Sequence, residues 1–264
     1  MAHDSIRRPS PLDPSRVLIV IPSRFGSSRF PGKALADLAG RPLVVRVLEN
    51  ARRIAAASRV VVATDDERIA AAVRAAGGTV EMTGDHATGT DRIGEVAGRH
   101  DVDLVVNLQG DEPLLDPDDV DALIAAMGAD PDCDIGTCAH PFPAGAGAAF
   151  ADPNTVKVVC DRADRALYFS RAPIPGTFPG NVTPGVAVAR RHVGIYAFRR
   201  DALERFLALE RTPLELAEGL EQLRALENGF VIRVVPIERA PVGVDTPADL
   251  EDVRRLWQER RPAE

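Results

Sequence analysis

Residues 17–33 read V-L-I-V-I-P-S-R-F-G-S-S-R-F-P-G-K, from Val17 to Lys33, an apolar strand that runs directly into a loop of glycines, serines and cations. A strand followed by such a loop is the opening of an α/β fold, and the loop chemistry suits phosphate. Glycines let backbone N–H groups approach anionic oxygens, serine hydroxyls add donors, and a helix expected from Arg41 to about Ala56 would aim its positive end at the same place. The loop also ends on a lysine. Of the 32 Lys and Arg residues only Lys33 and Lys157 are lysines. The simplest source of that bias is the base composition of the coding sequence, so a lysine that escapes it points to a need for a compact, mobile charge.

The loop is neither of the two common nucleotide loops. A Walker A loop places four residues between its first glycine and the Gly-Lys pair and a Ser or Thr after it, whereas Gly26 and Gly32 are separated by five and Ala34 follows. The dinucleotide fingerprint G-x-G-x-x-G is missing as well, which argues against a nicotinamide or flavin Rossmann enzyme. An ordinary polar loop remains the bland alternative, and the density of cations, hydroxyls and glycines weighs against it.

Outward from this segment, apolar runs recur at Val60–Thr64, Thr79–Thr83, Leu104–Leu108 and Ile135–Ala139. Helical patterns separate them at Asp66–Ala76, Thr90–Arg99 and Pro117–Met127. Strand–helix alternation predicts a mostly parallel, Rossmann-like α/β sheet with helices on both faces. After Asp152 closely spaced strands (Thr155–Cys160, Leu167–Ser170, His192–Phe198) predict a small antiparallel insertion over about 153–199, with a Pro/Gly-rich excursion from Pro173 to Gly185. Helices are expected at Arg200–Leu209, Leu214–Glu227 and from Pro247, with a strand at Phe230–Pro236. The expected organisation is a disordered tail over 1–15 and one domain over 16–260.

A chain of 264 residues, 45% hydrophobic and 27% charged, can bury a full core. Its net charge of −7 argues against nucleic acid or an anionic membrane as the main partner. Cys133, Cys138 and Cys160 are odd in number and lack C-x-x-C spacing, so reduced buried thiols and a cytoplasmic setting are expected. The polar, proline-rich start has no apolar leader region, and no run approaches membrane-spanning length, which predicts a soluble protein.

The fourth strand runs into V-V-N-L-Q-G-D-E-P, from Val105 to Pro113. In open parallel sheets ligands sit beyond the carboxyl ends of the strands, so Gln109, Asp111 and Glu112 would lie beside the first loop if the two strands are neighbours. A carboxylate there can hold magnesium, which completes its shell with waters and substrate phosphates. A turn or helix cap is the alternative. Asp245, in V-G-V-D-T-P-A-D-L, is a second carboxylate candidate, and a helix start before Pro247 explains it equally well. His192 and Tyr196 share a strand face, where a buried histidine is commoner than a ligand-binding one.

Taken together, I-P-S-R-x-G-S-S-R-x-P-G-K, D-H-A-T-G-T-D-R, N-L-Q-G-D-E-P, N-x-V-K-V-V, Y-F-S-R-A-P-I-P, R-H-V-G-I-Y, L-E-Q-L-R and G-V-D-T-P-x-D-L occur in that order between about Val17 and Leu256. The set closely resembles the 3-deoxy-manno-octulosonate cytidylyltransferases, the CMP-KDO synthetases. The resemblance implies a cytoplasmic homodimer of nucleotidyltransferase fold that makes CMP-KDO and pyrophosphate from CTP and the eight-carbon keto acid KDO, for lipopolysaccharide synthesis. It implies that Arg24, Ser27, Arg29 and Lys33 hold the triphosphate, with Arg92 and Gln109 in the nucleotide region. Asp111 and Asp245 would bind Mg2+, while Arg171, His192, Tyr196, Glu221 and Gln222 would line the sugar-acid pocket. Arg24, Lys33, Asp111 and Asp245 would carry the catalysis. The chain departs from the pattern at Leu214–Glu218, where relatives often have L-E-H-I-E and this chain has Leu216 in place of the histidine; the N-terminal tail and the Gly176–Ala189 excursion are also its own. The alternatives are a cytidylyltransferase for another keto-sugar acid, such as sialic acid or an amino-substituted KDO, and a catalytically idle nucleotide-sugar binding module.

Overall fold

A computed structural model describes residues 12–26, 29–179, 184–238 and 241–260. Most of the expected tail, residues 1–11, and Ser27 of the first loop lie outside these. Residues 12–15 already belong to the fold: Leu12 packs on the core, and Asp13 Oδ1 accepts from the Ser15 amide at 2.9 Å to open a short turn.

In chain order the elements are β1 (Val17–Pro22), a hairpin of β2 (Asp37–Leu38) and β3 (Arg41–Pro42), α1 (Leu43–Ala51), β4 (Arg59–Thr64), α2 (Glu67–Ala75), β5 (Val80–Met82), α3 (Gly89–Ala97), β6 (Leu104–Asn107) and α4 (Pro117–Ala129). There follow β7 (Ile135–Pro141), α5 (Gly147–Ala151), β8 (Lys157–Cys160), β9 (Ala166–Ser170), β10 (Arg190–Arg199), α6 (Arg200–Leu207), α7 (Pro213–Glu218), α8 (Gln222–Glu227), β11 (Ile232–Pro236) and α9 (Pro247–Arg260). The main sheet runs β11-β7-β10-β6-β1-β4-β5, parallel throughout except for β10.

Strand β1 is apolar without alternation because both of its faces are covered, which is the signature of a parallel strand between helix layers. Val17, Ile19 and Ile21 join one core with α1, α2 and α4; Leu18 and Val20 join the other with α3, α6 and α8. β1 lies between β4 and β6, with Val20 beside Asn107 and Pro22 beside Ala63. The loops after β1 and β6 therefore emerge side by side.

Three expectations change. β10 does not stay in a separate insertion: it enters the main sheet between β6 and β7, antiparallel to both, and only β8 and β9 project from it. Its alternation makes this possible, since Val193, Ile195 and Ala197 feed one core while Tyr196 and Phe198 feed the other. The helix expected over 214–227 is two helices, broken where Gly219 takes φ 62, a left-handed C-cap that glycine adopts without steric cost. Glu215, 1% exposed, then ties the pair together through two 2.8 Å bonds from Arg224. Finally, the β2–β3 hairpin occupies the residues before α1, so that helix starts at Leu43 and its N-terminus does not border the cleft described next.

Candidate active site

A cleft of about 270 Å³ opens at the carboxyl ends of β1 and β6. The loop after β1 contributes Ser23, Arg24, Arg29 and Lys33, and the loop after β6 contributes Gln109, Gly110 and Asp111. Gly110 is required by contact: a Cβ there would stand 2.9 Å from the Pro22 carbonyl oxygen, so only glycine lets the two loops close on each other. Asp245 arrives from the segment before α9, where the Val244 amide donates to the Asp111 carbonyl oxygen at 2.9 Å.

The centre of the cleft is a charge cluster. Lys33 Nζ lies 2.6 Å from Asp111 Oδ2 and 3.5 Å from Asp245 Oδ1, and an Arg29 guanidinium nitrogen lies 3.1 Å from the same Asp245 oxygen. Two carboxylates aimed at one cation form a half-site that suits a hard divalent ion, whose shell is otherwise filled by water and phosphate oxygens. Among the described residues no group of three or more His, Cys, Asp or Glu side chains could hold a metal by itself. Asp245 is thus more than a helix start, a role that falls to Thr246 and Asp249: the Asp249 carboxylate accepts from the Asp245 and Thr246 amides.

Beside Asp111, burial and the neighbouring carboxylate push Glu112 up to about 8, with Asp245 adding to the shift and Arg191 opposing it. One of its carboxyl oxygens is buried without a partner.

The opposite wall comes from a stretch whose individual residues, apart from Arg92, the sequence reading passed over. His86, Thr88 and Gly89 line the cleft at the start of α3, so α3 rather than α1 turns its N-terminus toward it. The local signal was present: Thr88 caps the helix by accepting from the Asp91 amide at 3.0 Å, the pattern of a hydroxyl before an acidic first turn. His86 is held by Glu95 at 2.5 Å. Arg92, 2% exposed, is anchored by Asp65 at 2.9 Å and by the Thr83 hydroxyl, which fixes a buried guanidinium at the cleft wall. Gln109 donates to the Gly194 carbonyl oxygen at 3.1 Å and so ties the cleft to β10.

The remaining candidates sit along β10 and α8. The His192 and Tyr196 rings are 5.5 Å apart on one face, and Phe169 meets His192 edge-on at 5.1 Å. Burial lowers His192 to about 3 and raises Tyr196, so both are neutral. Glu221 accepts from Thr90 Oγ1 at 2.7 Å, linking α8 to the start of α3, and Gln222 is buried beside it. Arg171 stands apart from this group. Neither Arg171 nor His192, Tyr196, Glu221 or Gln222 lines the cleft itself, and the Arg171 guanidinium donates to the carbonyl oxygens of Glu218, Pro153 and Gly219. The three cysteines are unbridged, and burial raises Cys133 and Cys138 to about 12 and Cys160 to about 11, which leaves inert thiols. No helix among the described residues is long and apolar enough to cross a membrane.

Comparison with known proteins places this geometry in context. A family model described as cytidylyltransferase matches residues 18–237. The chain is 50% identical over 240 residues to the 3-deoxy-manno-octulosonate cytidylyltransferase of Syntrophotalea carbinolica, covering 89% of this chain and 95% of that protein. It is 49% identical to the protein of the same name from Geobacter metallireducens, covering 90% and 96%. A solved structure of a CMP:2-keto-3-deoxy-manno-octonic acid synthetase complexed with CTP superposes with a TM-score of 0.87 at 46% identity, covering 93% of this chain and all of that one.

Proposed function

The chain belongs to the cytidylyltransferase family, and from that premise we propose that it converts CTP and 3-deoxy-manno-octulosonate into CMP-KDO and pyrophosphate, a step of lipopolysaccharide biosynthesis. The observation that carries the reading is the convergence of Lys33, Asp111 and Asp245 at the mouth of β1 and β6, inside a cleft that also holds Arg24, Arg29 and Arg92. An idle binding module has no use for a paired carboxylate site beside a triphosphate loop.

In this reading the anomeric hydroxyl of the sugar acid attacks the α-phosphorus of CTP and releases its proton to solvent, the new P–O bond forms as the α–β bridge breaks, and pyrophosphate departs. Positioning and charge neutralisation do most of such work. Arg24, Arg29 and Lys33 neutralise the phosphoryl oxygens and the leaving group. Arg92 and Gln109, each fixed by partners of its own, hold the nucleotide region rigid. Asp111 and Asp245 would hold magnesium, which when bound supplies Lewis-acid polarisation of phosphoryl oxygen and a lower pKa for the attacking hydroxyl.

The sugar acid would sit against His192 and Tyr196 on one face of β10, with Glu221 and Gln222 at the start of α8. Arg171 would join that wall: three of its N–H groups donate to carbonyl oxygens, and the remaining two are left for the sugar acid. A homodimer completes the proposal: β9 is a sheet edge that presents Leu167 at 62% exposure, and Leu216 and Phe178 are also solvent-facing.

The test is CTP-dependent pyrophosphate release with KDO, sialic acid and an amino-substituted KDO as alternative acceptors. Turnover that favours KDO is expected; preference for another acid moves the substrate, and none with any acid overturns the reading. Light scattering should give twice the chain mass.

A further inference from the structure

The ammonium of Lys33 stands where the two carboxylates of the cleft converge. It is 15% exposed, the Asp111 side chain is 30% exposed, and both Asp111 and Asp245 direct an oxygen at it. A pair this enclosed is not the weakly coupled surface kind, since screening by water is partial. Arg29 takes up the outer side of Asp245. In the free chain Lys33 is therefore already engaged with Asp111, while Asp245, 52% exposed, meets Lys33 at 3.5 Å and Arg29 at 3.1 Å as a looser pair.

We infer that Lys33 is an internal stand-in for the divalent cation: it occupies the acidic pair until a triphosphate draws it away, so metal and nucleotide enter the cleft as one coupled event. This rests on the reading of Asp111 and Asp245 as the cation's ligands. The argument is one of charge and space. A divalent ion arriving alone must displace an ammonium 2.6 Å from Asp111 and would lie beside an uncompensated cation. A triphosphate arriving alone pulls Lys33 onto its oxygens and strands two carboxylates next to a polyanion. Arrival of both resolves both conflicts, because each ligand takes the partner that the other releases. Lysine suits this exchange where arginine does not: a compact ammonium on a flexible stem can trade a carboxylate for a phosphate by rotating about its own side-chain bonds. The survival of lysine at this position in an arginine-rich chain has the same explanation.

Binding of Mn2+ alone, read from the paramagnetic resonance signal of the free ion, tests the inference without turnover. The full chain without nucleotide should bind Mn2+ weakly. Lys33→Met should bind it more tightly, on the order of tenfold. Arg24→Met removes the same charge from the cleft wall without freeing a carboxylate and should change affinity much less. Equal effects of the two variants, or tight Mn2+ binding by the unaltered chain, would overturn the stand-in. The underlying reading fails differently: adding Asp111→Asn to Lys33→Met should abolish the gained site, and if Mn2+ binding survives, the acids are not its ligands. A second readout needs no variant that might misfold. Lys33 and Lys157 are the only lysines, so 15N-lysine labelling gives two ammonium resonances. That of Lys33 should stay in place with Mg2+ alone and should move at a much lower inorganic tripolyphosphate concentration with Mg2+ present than without it. Movement with Mg2+ alone would refute the coupling, and equal midpoints would also refute it.

Discussion

Thr137 Oγ1 lies 2.9 Å from His192 Nε2 and 2.8 Å from the Ile195 carbonyl oxygen, so the proton on each partner follows from its neighbours. The carbonyl can only accept, the hydroxyl therefore donates to it, and the imidazole must donate from Nε2 to the hydroxyl. His192 is then a neutral ring with Nδ1 free to accept, a suitable receiver for a substrate hydroxyl.

The tautomer is directly measurable. 15N spectra should show His192 protonated at Nε2 and bare at Nδ1 near neutral pH. Thr137→Val removes the acceptor, so it should perturb this tautomer and cost about 1–3 kcal/mol by leaving a buried donor unpaired. A ring protonated at Nδ1 in the unaltered chain would contradict the assignment.

His192 also sets a pH dependence. Burial holds it at about 3 when folded, against 6.5 for the free side chain, so the unfolded chain binds more protons between those values. The contribution is complete above 6.5 and is lost as pH falls toward 3. Relative to His192→Asn, the unaltered chain should lose up to about 1.4 kcal/mol per pH unit in that window. Urea unfolding at pH 7, 6 and 5 checks it, and a constant difference would show that the ring titrates normally.

Lys157 is fully buried, and its ammonium donates to the carbonyl oxygens of Asp152 at 3.0 Å, Thr155 at 2.7 Å and Arg171. Three N–H bonds meet three acceptors, a match that a planar guanidinium cannot reproduce. Lys157→Met should destabilise the chain by about 3–5 kcal/mol, and Lys157→Arg should recover little of it. Chemical denaturation of both variants decides the matter; full recovery by arginine would make the lysine incidental.

Gly110→Ala should cost about 1–3 kcal/mol, because the new methyl meets the Pro22 carbonyl oxygen at 2.9 Å and neither backbone can yield freely. The strain displaces the loop that carries Asp111. Activity should therefore fall by more than the loss of stability accounts for, and a fully active, less stable variant would show that the close approach serves packing alone.

Asp111→Asn should keep the fold and lose most activity, since several kcal/mol of charge stabilisation are attributed to the cation it would hold. Lys33→Arg should recover little of the activity lost in Lys33→Ala. Pyrophosphate release at saturating magnesium measures both.

Much of this was readable in the chain because the determining patterns are local. The apolar run from Val17 to Ile21 announces a strand covered on both faces, and the helices expected from Thr90 and Pro117 start within two residues of the Thr88 and Asp116 side chains that cap them. Arg171 illustrates the converse. Its place in a motif marked it for the sugar pocket, and only the tertiary structure shows that its guanidinium also donates to backbone oxygens of Glu218 and Gly219, more than forty residues away. The break at Gly219 was hidden for a different reason, since the apolar period continues across it and only the backbone's left-handed turn ends the helix.

The sequence by itself determined the order of the main strands and helices, the phosphate-suited loop and the charged residues at the centre of the cleft, because periodicity and turn chemistry act between neighbours in the chain. The tertiary structure alone decided how the inventory is used. Asp111 and Asp245 lie 78 and 212 residues from Lys33, and they meet its ammonium because β6 pairs beside β1 and the segment before α9 returns across both loops. Insertion of β10 between β6 and β7 likewise brings Gly194 to Gln109. Strand order is a collective outcome of burying both faces of one sheet, and that is not encoded at any single position.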